Sequence, residues 1–467
     1  MTTTDTGIEA VGEATLAELA EGLHGELVTP ASEDYDEARS IWNAAHDRRP
    51  ALVIRCAGVS DVIRGVDFAR SEGLPLALRG GGHSIPGFST TDGGVVLDLS
   101  PMKGIRVDPA ARRVVAQAGC LWSDVDQETQ EFGLALTGGL VSTTGIAGFT
   151  LGGGVGWLLR RCGLTCDSLV GADVVTADGQ LVHASAEEHP DLFWALRGGG
   201  GNFGVVVSFS FSLRDVGDVL AGPTLWPMEA APAVMRAFDT YMETAPDIVG
   251  GFFLFLEVPP APPFPEELHG RKMCGIAWCV TDPDAGDVLD DMLATAKPAL
   301  HGVGRMPFPM WNSAFDGLYP PGHQWYWRAD FVKELSDEAI ALHCEHAAKL
   351  PTMQSSMHMY PINGAAARVG KDDTAWAYRD AKYGSVIVGV DPDPAKAGLL
   401  RDWTVAYHDA MHPHSMGGAY VNMMMDEGQE RVRASYRDHY DRLAQVKAEY
   451  DPGNLFRVNQ NIAPAAR

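Results

Sequence analysis

The residues best suited to chemistry lie in three glycine-rich segments. The first reads Arg79-Gly80-Gly81-Gly82-His83-Ser84 and runs on to Pro86-Gly87. Glycine tolerates positive φ and lets consecutive backbone N–H groups point at an anion, so a diphosphate is the natural occupant of such a loop. His83 adds an imidazole that is available in its neutral, nucleophilic form near pH 7. Taken alone, the segment also fits a glycine turn beside an incidental histidine.

The second segment holds Gly138-Gly139 and then Gly145-Ile146-Ala147-Gly148-Phe149-Thr150-Leu151-Gly152-Gly153-Gly154-Val155-Gly156. Glycine is too dense there for one turn, so backbone must lie against something flat or against other backbone. The third, Arg197-Gly198-Gly199-Gly200-Gly201-Asn202-Phe203-Gly204, matches a Rossmann spacing at Gly199, Gly201 and Gly204. Its context is reversed: a predicted helix over 191–196 comes before it and a predicted strand over 205–211 follows, which argues against nicotinamide binding. All three segments fall within residues 79–204, each at a predicted strand end. Together they could embrace a large dinucleotide.

The elements that must position them alternate short apolar strands, at 51–56, 75–79, 95–99 and 113–118, with turns and a few helices. Val59, Val62, Ile63, Val66 and Ala69 recur at helical spacing, and Gly73 follows as a C-terminal stop, giving one βαβ unit. After Asp215 the glycine motifs cease and Pro, Met and aromatic residues increase. Strands over 252–258 and 274–280 with helices over 336–349 and 395–408 predict a sheet covered by helices. Val432, Tyr436, Tyr440, Leu443 and Val446 form a late helical stripe with the character of core.

At 467 residues the chain exceeds the roughly 250–300 at which single cores stop growing, so two domains are expected. A formal charge of −25 argues against nucleic acid, which requires clustered Lys and Arg. Asp5, Glu9, Glu13, Glu18 and Glu21, with no early Lys or Arg, are the opposite of a secretory leader. The most apolar stretch, residues 249–256, is far shorter than the roughly 20 residues of a membrane helix. A soluble, cytoplasmic protein without a membrane partner is expected. The seven cysteines form no disulfide framework, and Cys162 and Cys166 lack a second close pair for zinc, so ordinary thiols are expected. None of these features specifies an oligomeric state.

Six ordered motifs carry a family resemblance. They are the 79–84 segment, the 145–156 block, Gly163-Leu164-Thr165-Cys166-Asp167, Val174-Val175-Thr176-Ala177-Asp178-Gly179, Asp191-Leu192-Phe193-Trp194-Ala195-Leu196-Arg197-Gly198, and the ending 450–462 with Asn459-Gln460-Asn461. In these the chain resembles the FAD-linked oxidases of the berberine bridge enzyme type over nearly its whole length. The resemblance implies an α+β architecture with a two-lobed, vanillyl-alcohol-oxidase-type (PCMH-type) FAD domain at 1–215. A substrate domain, an antiparallel sheet covered by helices, would occupy 216–419, and residues 420–467 would return to the FAD domain.

The resemblance further implies FAD bound covalently through its 8α carbon to His83. Bicovalent members add a cysteine where this chain has Val141, so a single link is expected; many members carry a histidine where Phe149 stands. Cofactor contacts are implied at Arg79, Gly80, Gly81, Gly82, His83, Ser84 and Gly87. Others are implied at Gly138, Gly139, Ser142, Thr143, Thr144, Gly145, Gly148, Gly152, Gly153, Gly154 and Gly156. The remainder fall at Asp167, Gly201, Gly204, Val206, Asn459, Gln460 and Asn461. A small residue at Gly139 would also leave O2 room to reach the flavin.

The two positions where the family commonly supplies a base fall on Arg368 and Met423, and neither is one. That favours an already electron-rich substrate, an amine or a phenolic or polyketide-like secondary metabolite, over a plain sugar alcohol. Tyr420, Asn422 and Tyr326 are the polar candidates for catalysis, each equally suited to a structural hydrogen bond. Trp311, Trp325, Tyr326, Trp327 and Tyr360 are aromatic candidates for the substrate pocket, though each by itself has more the character of core. The expected activity is oxidation of a small organic substrate with O2 as acceptor and hydrogen peroxide as product. A dehydrogenase of the same fold, a carbohydrate oxidase and a flavin-binding protein without turnover stay open.

Overall fold

The computed structural model describes residues 12–466. Asp5, Glu9 and the other first eleven positions of the expected 1–215 domain lie outside the described residues. Strands form where aliphatic residues run together, and the first sheet sets Leu52–Arg55 and Leu76–Arg79 parallel to Val95–Asp98, which lies between them. Glu26–Val28 closes one edge antiparallel. Helix Val59–Ser71 makes the crossover and buries Val62, Val66 and Ala69. Gly73, just past its end, takes φ +65, a conformation that costs glycine little. The expected βαβ unit is present, with a third strand inserted between its two.

The second sheet is antiparallel, in the order Ile105–Asp108, Arg113–Gln117, Val205–Ser212, Leu169–Val175, Leu181–Ser185. The first glycine segment leaves strand Leu76–Arg79 and the third enters strand Val205–Ser212, so both lie at strand ends.

The third sheet has eight antiparallel strands, all between Asp218 and Asp391. Its side chains alternate with period two. Phe253 and Phe255 pack under helices Ala231–Thr244, Asp337–Ala347 and Ala397–Met411. Phe252 and Leu254 join the other large core, shared with the first two sheets. The apolar run at 249–256 is the body of strand Val249–Glu257, and no described helix is long and apolar enough to cross a membrane. All seven cysteines are free thiols, and only Cys344 is not fully buried.

The late stripe forms two helices, Gln429–Tyr436 and Tyr440–Tyr450, because the chain breaks at Arg437, whose φ is +48. Lys447 on the second helix is fully buried. Its ammonium donates to Asp451 Oδ2 at 2.6 Å, Asn202 O at 2.7 Å and Phe456 O at 2.8 Å. One cation thereby ties the third glycine segment to the C-terminal chain. Burial alone holds the Lys447 pKa below its usual range, and Asp451 offsets that cost. Removing one partner of such a pair leaves a buried charge alone, so Lys447→Met is expected to cost about 3–5 kcal/mol in urea unfolding. The exposed Lys349–Glu345 pair serves as control, and Lys349→Met should change stability little. Equal losses in both variants would contradict the clamp.

Candidate active site

A cavity of about 340 Å³ opens where the glycine segments meet the eight-stranded sheet. Gly80, Gly81, Gly82, His83 and Ser84 form one wall. Thr144, Gly145 and Gly148 form a second, and Gly201, Gly204 and Val206 join Asn459 and Gln460 in a third. The inserted sheet contributes Phe252, Trp327, His358, Tyr360, Val386 and Val388. No Asp, Glu, Lys or Arg of the described residues lines this space.

The glycines do two different jobs. A Cβ on Gly81 would meet Gly145 Cα at 2.6 Å, and one on Gly145 would meet Gly81 Cα at 2.7 Å, so the two loops pack backbone on backbone. Gly148 and Gly201 differ, because a Cβ there would meet nothing within 4 Å and would project into open cavity. Space of that kind, walled by backbone, fits a large planar dinucleotide. Asn459 supports the same fit. Its Nδ2 donates to Gly201 O at 3.0 Å, while its Oδ1 is buried on the cavity wall without a protein partner.

His83 stands at the end of its loop with its ring stacked on Trp42, centroids 4.8 Å apart and planes at 18°. Burial pushes its pKa down to about 4, so the imidazole is neutral at pH 7. Nε2 lies 3.1 Å from Thr143 Oγ1, and Nδ1 has no hydrogen bond among the described residues. Thr143 thus holds one ring nitrogen and leaves the other free.

A second polar group on the wall includes the expected aromatic Tyr360, but its centre, His358, was not anticipated from sequence. His358 Nδ1 lies 2.7 Å from Tyr360 Oη, and His358 Nε2 lies 3.3 Å from Tyr319 Oη. His358 and Tyr360 share a face because they are two apart on strand Ser356–Pro361. Burial pushes the His358 pKa down to about 3 and the Tyr319 phenol up to about 12. Trp42 connects the two groups: it stacks on Trp325, centroids 4.1 Å apart, and its Nε1 donates to Tyr319 O at 3.1 Å. The His-x-Tyr alternation was the available signal; Tyr319 and Trp42 arrive from distant loops.

The expected catalytic residues divide. Tyr420 and Asn422 line the cavity. The Tyr420 hydroxyl oxygen accepts from Gly154 N–H at 2.9 Å, Val155 N–H at 3.4 Å and Asn422 Nδ2 at 2.8 Å, which fastens it to the glycine block. Asn422 also donates to Phe149 O. Tyr326 sits one residue out of phase with Trp325 and Trp327 on strand Gln324–Val332, so it points to the opposite face, away from the cavity. Arg368 pairs with Asp247 outside the site, while Met423 lines it.

Several of the expected cofactor positions have protein partners of their own. Arg79 donates to Ala38 O, Ser40 O and Asp98. Gly87, at φ +76, backs onto the His46 ring, and Gly138 and Gly139 back onto Trp122. A side chain at Gly139 would meet Trp122 Cδ1 at 3.2 Å, so the oxygen-gating expectation has no open volume to act on. Ser142 binds Asp316 through both its N–H and its hydroxyl. Gly152 packs on Asn422, Gly153 on Trp376, Gly154 on Thr165 and Gly156 on Gly138. Asp167 takes a two-pronged ion pair from Arg379, at 2.8 and 2.6 Å. Asn461 is not on the cavity wall. Tyr436, expected as core, does line it while donating to Gly199 O.

Comparison with known proteins agrees with this geometry. An FAD binding domain model matches residues 50–185, and a berberine and berberine-like model matches residues 419–463. An FAD-linked oxidoreductase of Aspergillus terreus is 39% identical over 98% of this chain and 97% of its own. The (R)-6-hydroxynicotine oxidase of Paenarthrobacter nicotinovorans is 32% identical over 95% of this chain and 97% of its own. Glucooligosaccharide oxidase from Acremonium strictum, described with a 6-S-cysteinyl, 8α-N1-histidyl FAD, superposes with a TM-score of 0.84 at 23% identity, covering 97% of this chain and 99% of its own. With its glycine-walled cavity and its full-length relatives, the chain belongs to the berberine bridge enzyme-like family of FAD-linked oxidoreductases.

Proposed function

We propose that this protein carries its FAD on His83 and oxidises a small, uncharged organic substrate, phenolic, polyketide-like or a neutral amine, with O2 as acceptor. The observation that carries this reading is one cavity holding both a neutral His83 with a free Nδ1 and the Tyr319–His358–Tyr360 row, in a wall without a charged side chain. Burying an unpaired charge against such a wall costs several kcal/mol, which disfavours carboxylated or cationic substrates. FAD held there would supply the two-electron acceptor for a substrate C–H, with O2 as its oxidant.

The chain's own residues supply the cradle and the proton's path. Backbone at Gly148 and Gly201 leaves room for the cofactor, and Thr143 keeps one His83 nitrogen occupied so that the other is presented. A neutral imidazole has one N–H and one lone pair, so His358 accepts from one tyrosine while donating to the other. A proton leaving a substrate hydroxyl or amine beside this row has a route along it. With so low a basicity the row is suited to pass that proton on rather than to hold it, at a wall where Arg368 and Met423 supply no base.

Two outcomes are expected. Protein denatured in detergent should keep its flavin fluorescence on a peptide containing His83, and His83→Ala should release any bound FAD on denaturation; full release from the parent would contradict the link. His358→Gln, which keeps hydrogen bonds but cannot pass a proton, should lower kcat about 10²-fold, the low end for a proton-transferring group, with an unchanged flavin absorbance spectrum. Because the His358 pKa is lowered to about 3, its imidazole stays neutral from pH 5 to 9 and should give no acid-side loss in that window. An inflection between pH 5 and 7 that disappears in His358→Gln would count against the assignment.

A further inference from the structure

On the face of the eight-stranded sheet covered by helices, away from the cavity, three metal-ligand atoms converge. Asp330 lies on strand Gln324–Val332, His408 near the end of helix Ala397–Met411, and His412 four residues later in the turn His412–His414. His408 Nε2 is 3.2 Å and His412 Nδ1 is 3.0 Å from the same oxygen, Asp330 Oδ2. A tetrahedral zinc-class ion with bonds of ~2.0–2.1 Å holds its ligand atoms roughly 3.3–3.4 Å apart, close to this spacing.

The surroundings favour a ligand over a plain salt bridge. His408 is only 7% exposed, and its buried Nε2, although 3.2 Å from Asp330 Oδ2, is not aligned for a hydrogen bond to it. Asp330 Oδ1, which also lies 3.3 Å from His412 Nδ1, accepts from Arg431 Nη2 at 2.6 Å. An outer donor of that kind orients a ligating carboxylate. The Arg431 charge is met in turn by Glu427, which also pairs with Arg328. The His412 side chain is 46% exposed, which opens a path from solvent, and Ser415 Oγ lies 3.3 Å from its Nδ1.

We propose that Asp330, His408 and His412 form a binding site for a divalent transition ion of the zinc class, with water completing its coordination. Two imidazoles and one carboxylate select such ions over Mg²⁺ or Ca²⁺, which prefer oxygen-only sites. The ion would pin helix Ala397–Met411 to the strand whose other face carries Trp327 into the cavity.

The test uses the purified flavoprotein, stripped with chelator, reloaded with Zn²⁺ or Mg²⁺, desalted, and read by metal analysis and scanning calorimetry. The parent should retain about one Zn²⁺ per chain, no Mg²⁺, and a higher Tm with Zn²⁺ than without. His412→Ala, altered at the exposed edge of the site, should keep its flavin spectrum but lose both the ion and the Tm rise. His183→Ala, at an exposed histidine paired with Asp173, should keep both. A parent that holds no stoichiometric Zn²⁺, one that holds Mg²⁺ equally well, or a His412→Ala protein that retains Zn²⁺ would overturn the site.

Discussion

Backbone pressed on backbone at Gly81 and Gly145 is the contact around which the cavity is built. Neither position has room for a methyl group, so the loop leaving strand Leu76–Arg79 and the block beginning at Gly145 meet without side chains between them. The contact is held in register by neighbours: Leu121 bridges Gly145, Trp122 N–H donates to Thr144 O, and Ile146 N–H donates to Cys120 O. Helix Ile146–Leu151 is thereby aimed so that Gly148 faces open space, while the later glycines, from Gly152 to Gly156, are spent against protein. A side chain at either contact would separate the two loops and with them the two lobes of the cofactor domain.

The eight-stranded sheet and the segments around it are fastened to this frame by polar ties that lie outside the cavity. Asn43 receives Trp325 N–H and donates to Trp325 O, Ser142 binds Asp316, Asn312 donates to Asp126, and Asp167 binds Arg379. These groups are largely buried, so each partner relieves a desolvation cost that the other would otherwise bear. Of these ties Asp167–Arg379 is an ion pair, whereas Asp126 and Asp316 are met by neutral groups, and all of them lie behind the wall. A chain of formal charge −25 encloses a cavity lined by no charged side chain among the described residues.

Within that neutral wall, polarity is confined to imidazole, phenol and amide groups. Trp42 stacks on both His83 and Trp325 and bonds Tyr319, so the histidine of the glycine loop and the His358 row are parts of one packed aromatic assembly. Their environments are alike in one respect: burial holds both imidazoles neutral at pH 7. A neutral imidazole at each place gives the enclosure polarity without charge. Tyr420, by contrast, accepts from several N–H donors and serves to position the glycine block.

The glycine segments, the βαβ unit, the helix-covered antiparallel sheet and the cofactor class were legible in the chain, because they rest on local rules. Positive φ needs glycine, period two marks a strand, and ordered motifs persist over the whole length. What only the folded chain decided was which member of each motif faces the cavity. Tyr326 was lost to strand alternation and His358 was gained by it, since a single step along a strand reverses a side chain. Asp167 and Ser142 carry ligand-like side chains, yet Arg379 and Asp316, distant in sequence, claim them first. Tyr319 and His358, 39 residues apart, become neighbours only when a loop folds over the sheet. Composition and spacing specify what a residue is able to bind, whereas the partner it does bind is set by long-range packing.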